Sequence, residues 1–326
     1  MASPGYGDNG GVIGPQNTPS KVSASGVWSM AEAAEAERQG KWPGFPFVGS
    51  GGAESTYSAS GVNYKVHTFN SSGSFVVTGG GDGADLLVIA GGSGAYVGSN
   101  AGAGGAGGYR EFALHPWVVG TYNIVIGAGG VNSANGNISS VHLSGGSGFP
   151  DIDTSGGGMG GSWNGQAGQA GGSGGGGAGS GPYAPWNAAG GGNAGGYSPV
   201  EGYPGGAEFT TWNGNSSGGG GAGGTPTVQL NGSGAPGQGG IGRYNSWQTG
   251  SSFGYAGGGG GGGQNSPSTQ TAIYGGGTGF CQSPYLTYMT APSNRGGGAG
   301  GRAGFTQLGG AVGNGGSGVV IIRYVA

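Results

Sequence analysis

Charge is the scarcest property of this sequence. Nine Lys and Arg and twelve Asp and Glu among 326 residues make 6% of the chain and leave a net charge of −3. The basic residues are scattered, so no stripe exists to neutralise phosphates, and duplex or single-stranded nucleic acid is excluded as a partner. Cysteine is nearly absent too. Cys281 stands alone, which excludes an internal disulfide, and without a CxxC partner or a nearby His it reads as a small buried apolar residue. No apolar run approaches the roughly 20 residues of a bilayer span. The N-terminal MASPGYGDNGGVIG lacks the charged and apolar regions of a signal peptide, so the expectation is a soluble protein outside the usual export route.

What is abundant is glycine, 95 residues in all, concentrated between 154 and 316 in runs such as GGSGGGGAG and AGGGGGGGQ. Such a composition usually means disorder, because glycine offers little apolar surface to offset the entropy of ordering. Disordered chains, however, keep themselves soluble with charge and avoid aromatics, whereas Phe, Trp and Tyr make 10% of this one. The alternative is a left-handed helix of three residues per turn, rising about 3.1 Å per residue and making no internal hydrogen bonds. Without Cβ atoms such helices approach until N–H meets C=O on a neighbour, so they form as a bundle or not at all. The composition predicts the bundle, with disorder as the alternative.

Residues 1–25 are turn-rich and read as an extended arm. In GVWSMAEAAEAERQGKWPG, Ser29 and Glu32 have the spacing of a capping box, Gly40 suits the C-terminal cap and Pro43 stops the chain, which predicts one short helix from Ser29 to Gln39. Trp28, Met30 and Trp42 flank it and are the candidate attachment residues to a partner surface. From Tyr64 the period becomes two. YKVHTF and SFVVTG, separated by NSSG, read as a hairpin with Val66, Thr68, Phe75 and Val77 alternating against outward residues. ADLLVIAGG is a continuous apolar run of strand length and so a strand buried on both faces. YREFALHP, GTYNIVIGAGG and NISSVHLSGG read as further strands, and GSGVVIIRYVA, some 170 residues on, is a strand that returns to the same sheet. The expected fold is mainly β: an antiparallel β-sandwich at 57–153 plus 317–326, an arm and helix at 1–48 for attachment, and a glycine-rich insertion at 154–316 projecting from one end.

HTFNSSGSFVVTG, ADLLVIAGG, AGGYREFALHPWVVGTYNIVIGAGG and the closing GGSGVVIIRY together resemble the glycine-rich domain of phage tail-fibre and other phage structural proteins. GVWSMAEAAEAERQGKWPG looks like the tryptophan-flanked helix that often precedes that domain. In character the middle is similar to the distal adhesins of T-even-like phages, where polyglycine II helices carry variable loops. It is also similar to the glycine-rich extracellular region of anaplastic lymphoma kinase receptors, where such helices are inserted in a jelly-roll-like sandwich. The resemblance implies a virion surface protein that joins other tail or capsid proteins through its N-terminal arm, as a homo-oligomer on the particle, and recognises a host.

Catalytic signatures are missing. Gly102, Gly104 and Gly107 match G-x-G-x-x-G, but a strand follows and no helix terminus is there to hold a phosphate. His67, His115 and His142 lie far apart without a nucleophile motif, and read as ordinary strand histidines. Asp151 and Asp153 could give two oxygens to Ca²⁺, short of the six or more a site needs. Glu201 and Glu208 are the only carboxylates of the glycine region, too few to seat a glycosidase pair with ease. The expectation is therefore no enzyme, no cofactor and no metal. Between the glycine runs lie segments rich in Tyr, Trp, Ser, Asn and Pro, the composition of recognition loops on a rigid support. The candidate receptor-binding residues are Trp163, Tyr183, Trp186, Tyr203, Trp212, Tyr244, Trp247, Tyr285 and Tyr288; capping of the glycine helices by aromatics accounts for about half of them. Polysaccharide and outer-membrane protein remain alternative targets. A capsid or tail cement protein is the rival reading, and an enzyme acting on surface glycans a third.

Overall fold

The computed structural model describes residues 17–19, 24, 26–38, 47–79, 83–98, 100–146, 148–179, 188–207, 214–227, 236–263, 273–280, 289–302 and 313–326. Cys281, Trp42, Gly40 and Pro43 lie outside the described residues, as do Tyr183, Trp186, Glu208, Trp212, Tyr285 and Tyr288. The capping box forms as its spacing requires: the Glu32 amide donates to Ser29 Oγ at 3.2 Å and the Ser29 amide to the Glu32 carboxylate at 2.9 Å. It starts α1, Met30–Arg38. Trp28 is half-buried, while Met30 is 92% exposed. Among the described residues no helix is long and apolar enough to cross a membrane.

Two five-stranded antiparallel sheets follow. The first runs, in spatial order, β2 (Ala53–Ala59), β3 (Val62–Phe69), β12 (Val319–Val325), β5 (Ala84–Ile89) and β6 (Tyr109–His115). The second runs β1 (Val48–Ser50), β4 (Gly73–Gly79), β7 (Gly120–Val125), β8 (Ser139–Leu143) and β9 (Ile152–Thr154). A short pair, β10 (Arg243–Asn245) with β11 (Phe253–Tyr255), lies within the glycine-rich region. Phe75, Val77, Tyr122, Ile124 and Val141 of the second sheet share one buried cluster with Phe69, Leu86, Val88, Val320 and Ile322 of the first.

One expected pairing is overturned. β3 and β4 do not form a hairpin across NSSG; they belong to different sheets. Both edges of β3 are occupied, one by β2 through the tight turn at Ser60 (φ 51°) and Gly61 (φ 79°), the other by β12. A two-residue turn with both φ positive matches strand twist and so captures the edge locally. β4 has nowhere to pair and crosses to the second sheet, its inward residues Phe75 and Val77 still alternating as their sequence requires. The polar strand β2, AESTYSA, gave no apolar alternation and was not anticipated.

β12 is the centre of its sheet, with Val320 opposite Phe69 on one side and Val88 on the other. This sheet is buried on both faces. Its second face, formed by Val66, Leu87, Ile89, Tyr109 and Ile321, is covered by Ala222, Trp247, Tyr255 and Ala256 from the glycine-rich region. That double burial is why β5 and β12 are apolar on both faces except for Asp85 and Arg323, which pair with each other. Part of the glycine-rich region thus lies against a sheet face. Burying a Val, Leu or Ile is worth about 1.5–3 kcal/mol. Val66, Leu87, Ile89 and Ile321, all fully buried on this face, each contribute on that scale.

The histidines are structural. His67 is fully buried, its Nδ1 2.7 Å from the Gly51 carbonyl and its Nε2 3.1 Å from the Tyr324 hydroxyl. His115 Nε2 is buried without a hydrogen-bond partner among Phe112, Trp117 and Phe149. Burial pushes both imidazoles below their ordinary value, for His115 with help from the Arg110 charge. As pH falls the unfolded chain takes up protons first, so the contribution is complete above about pH 6.5 and declines below it. Thermal melting should show a lower Tm at about pH 5 than at about pH 7.5, with His115→Phe flattening that slope; a pH-independent Tm would contradict it.

Candidate functional site

The glycine runs are built around one central segment. The amides of Gly102, Gly105 and Gly108 donate to Gly161, Gly158 and Ser155; those of Ala103 and Ala106 to Ser217 and Gly220; those of Gly104 and Gly107 to Ala299 and Gly296, all at 2.8–3.1 Å. Every third residue thus addresses the same neighbour. The carbonyls of Ala103, Gly104, Gly105 and Ala106 accept from Gly176, Gly259, Ser93 and Ser173, at 2.9–3.0 Å. Residues 90–108, and 127–137 between β7 and β8, belong to this network, so the glycine-rich unit is wider than 154–316. The amides of the G-x-G-x-x-G match are all spent on carbonyls.

A bare Cα is obligatory here because a Cβ would occupy the space of a backbone oxygen. A Cβ on Gly259 would sit 1.9 Å from the Ala299 carbonyl, and one on Gly102 2.1 Å from that of Gly176. Gly191, exposed and with only Ala170 Cβ at 4.0 Å, marks the periphery.

One end of this network abuts the sheets, where Ala90 bonds Gly108, Gly108 bonds Ser155 and Gly318 bonds Gly127. The other end is knitted by Gly179 to Asn100, Arg302 to Ala101, Phe280 to Gly301, Gly263 to Phe280, Ser216 to Gly262, Gly237 to Ser216 and Gly177 to Gly206. The described chain stops at residues 179, 207, 227, 263, 280 and 302, and these six points gather at that remote end. The sequences that follow them, among them GPYAPWN, EFTTWN, QNSPSTQTA and CQSPYLTY, carry a single charge, Glu208.

The candidate aromatics divide. Trp163, half-buried on the Ser162–Gln166 turn, lies at the remote end. Tyr203 is half-buried at the sheet end, its amide donating to Gly221 at 3.2 Å. Tyr244 is 64% exposed on β10, its ring 4.7 Å from that of Tyr274. Trp247 differs from these: it is 9% exposed and packs in the sheet-face cluster, with the Arg323 guanidinium 5.0 Å from its ring.

Arginines mark the seam between sheets and glycine network. Arg323 reaches Asp85 through Nε at 2.8 Å and Nη2 at 2.5 Å and the Tyr57 hydroxyl through Nη1 at 2.9 Å, between the rings of Tyr64 and Trp247. Arg110 lies 3.9 Å from the Tyr197 ring and donates to the Asp153 carbonyl at 2.8 Å. Asp153 is further held by His142 at 2.9 Å. Asp151 is exposed, and among the described residues no cluster of three or more potential metal ligands exists. Glu201 is the residue whose part the sequence did not reveal. Fully buried, it accepts from the amides of Ser155 at 2.8 Å and Gly195 at 3.1 Å, fastening the exit of β9 to the 193–197 turn. A single Glu among glycines carries no pattern that marks it as a backbone clamp. Burial pushes the Tyr109 hydroxyl far up, reinforced by its hydrogen bond to Glu111, so it stays neutral.

A family model described as a glycine-rich domain matches residues 68–325, from the end of β3 through β12, and the chain belongs to that family. No curated protein matches the sequence.

The close approaches give a graded expectation. Gly259→Val should cost several kcal/mol, beyond the usual range of about 0.5–3 for point variants, whereas Gly191→Ala should stay within about 0.5 kcal/mol. Chemical denaturation of both variants measures this, and equal effects would contradict the packing described.

Proposed function

We propose that this member of the glycine-rich domain family is a phage virion protein, a tail-fibre or adhesin subunit that binds a host receptor. The glycine segments are polyglycine II helices in this reading, because three residues per turn is the period at which successive amides point to three neighbours. The two sheets form a jelly-roll-like sandwich. The observation that carries the function is the gathering of six exits at the remote end of the network, each followed by an almost uncharged sequence rich in small polar residues, four of the six also carrying Tyr, Trp or Phe. Tyr and Trp supply large rigid contacts at low entropic cost, and Ser, Asn and Gly supply adaptable hydrogen bonds. Host surface polysaccharide or an outer-membrane protein is the target class, and the arm and helix at 1–48 join the chain to other virion proteins.

Attachment and recognition are therefore separable. Trp186→Ala and Trp212→Ala should leave incorporation into particles intact and weaken adsorption to host cells, each by at least about tenfold if the residue is a hot spot worth about 2 kcal/mol. Trp28→Ala with Trp42→Ala should leave a folded protein that fails to join the particle. Normal adsorption of the loop variants, with particles that become fragile, would instead establish the cement role.

A further inference from the structure

Exposed strand edges invite pairing with other chains, and folded proteins blunt them with short strands, bulges or charge. Three of the four outer strands follow that rule. β1 and β9 are three residues each. β6 faces a register shift between Ala84 and Leu86, and near its end Leu114 adopts φ 47° with its amide turned to the Asp85 carboxylate at 2.9 Å. β2 is different. It runs seven residues in unbroken register, Ala53 opposite Thr68 through Ala59 opposite Val62, without bulge or proline, and its one charge, Glu54, is paired with Lys65 of β3 at 2.9 Å.

The turn fixes which backbone groups face outward. A two-residue turn makes Ala59 and Val62 a hydrogen-bonded pair, so every second residue back from Ala59 spends its amide and carbonyl on β3. Glu54, Thr56 and Ser58 alternate with these and direct theirs away from the sheet. All three are exposed, and their backbone groups have no hydrogen-bond partner among the described residues. On one face the strand is already braced, with Tyr57 under Gly250 and bonded to Arg323. Among the described residues the edge alone is open.

We propose that β2 is the self-association edge of this chain, pairing antiparallel with β2 of a second copy about a two-fold axis through Thr56. The strand is self-complementary in that register. Thr56 meets Thr56 and Glu54 meets Ser58, so the three outward residues of each copy exchange six N–H···O bonds and join the two sheets into one. The two Glu54 carboxylates then lie four residues apart along the ladder, about 13 Å, beyond the screening length of about 8 Å at physiological salt. Each is also paired with its own Lys65 at 2.9 Å. An axis through Glu54 would set the two carboxylates face to face.

Sedimentation of the full chain tests this. The wild type should be dimeric. Thr56→Lys and Thr56→Glu, which place like charges on the axis, should each weaken dimerisation at least about tenfold while leaving the circular-dichroism spectrum unchanged, and an equimolar mixture of the two should restore the dimer. Ser58→Lys, which faces the partner's Glu54, should tighten it. A wild type that stays monomeric, a dimer indifferent to Thr56→Lys, or variants that fail to recombine would overturn the proposal. So would a monomer whose melting temperature falls on Thr56→Lys, since the edge would then be covered within one chain.

Discussion

Everything in this protein depends on backbone amides reaching carbonyls on neighbouring glycine segments. Those bonds require approaches that leave no room for a Cβ: at Gly102 or Gly259 the missing carbon would fall about 2 Å from a backbone oxygen. Because no segment can satisfy its own amides, the segments stand or fall together. Residues 101–108 bond to six other segments, three through their amides and three through their carbonyls. The low charge of the chain follows, since a charged side chain among such contacts would have neither space nor solvent.

The sheets and the network are mutually dependent. Loops leaving β5 and β7 supply glycine segments to the network, and the network returns Trp247, Tyr255 and Ala222 to cover a sheet face. Arginines 110, 243 and 323 close the seam, each over an aromatic ring at 3.9–5.4 Å. Such contacts contribute about 0.5–1 kcal/mol when exposed and about 2 when desolvated. They also hold part of the chain's scarce positive charge at the seam. Buried Glu201 acts in the same way, as a fastening for backbone amides rather than a reagent.

Local signals were legible wherever they required no knowledge of a distant partner. The Ser29–Glu32 spacing specified a helix start, and the apolar runs at 84–89 and 319–325 specified strands buried on both faces. The pairing of β3 was not legible, because NSSG serves equally as a hairpin loop or as a corner between sheets; the choice lay with β2 and β12, which had taken both edges. The packing of Trp247 was not legible for a similar reason. Amid Asn, Ser, Gln and Thr its neighbourhood has the composition of a recognition loop, yet one face of the first sheet needed covering and an indole fills it.

By itself the sequence weighed against a solvated coil for the glycine runs, since such coils are rich in charge and poor in aromatics. It also pointed to which strands lie between two layers, since only those can be apolar on both faces. The tertiary structure decided which segment bonds to which, that residues 90–108 form the centre of the network, and that six exits share one end. Glycine is the reason for that division. A residue without a side chain specifies that it can pack closely, and leaves the choice of neighbour to the folded chain.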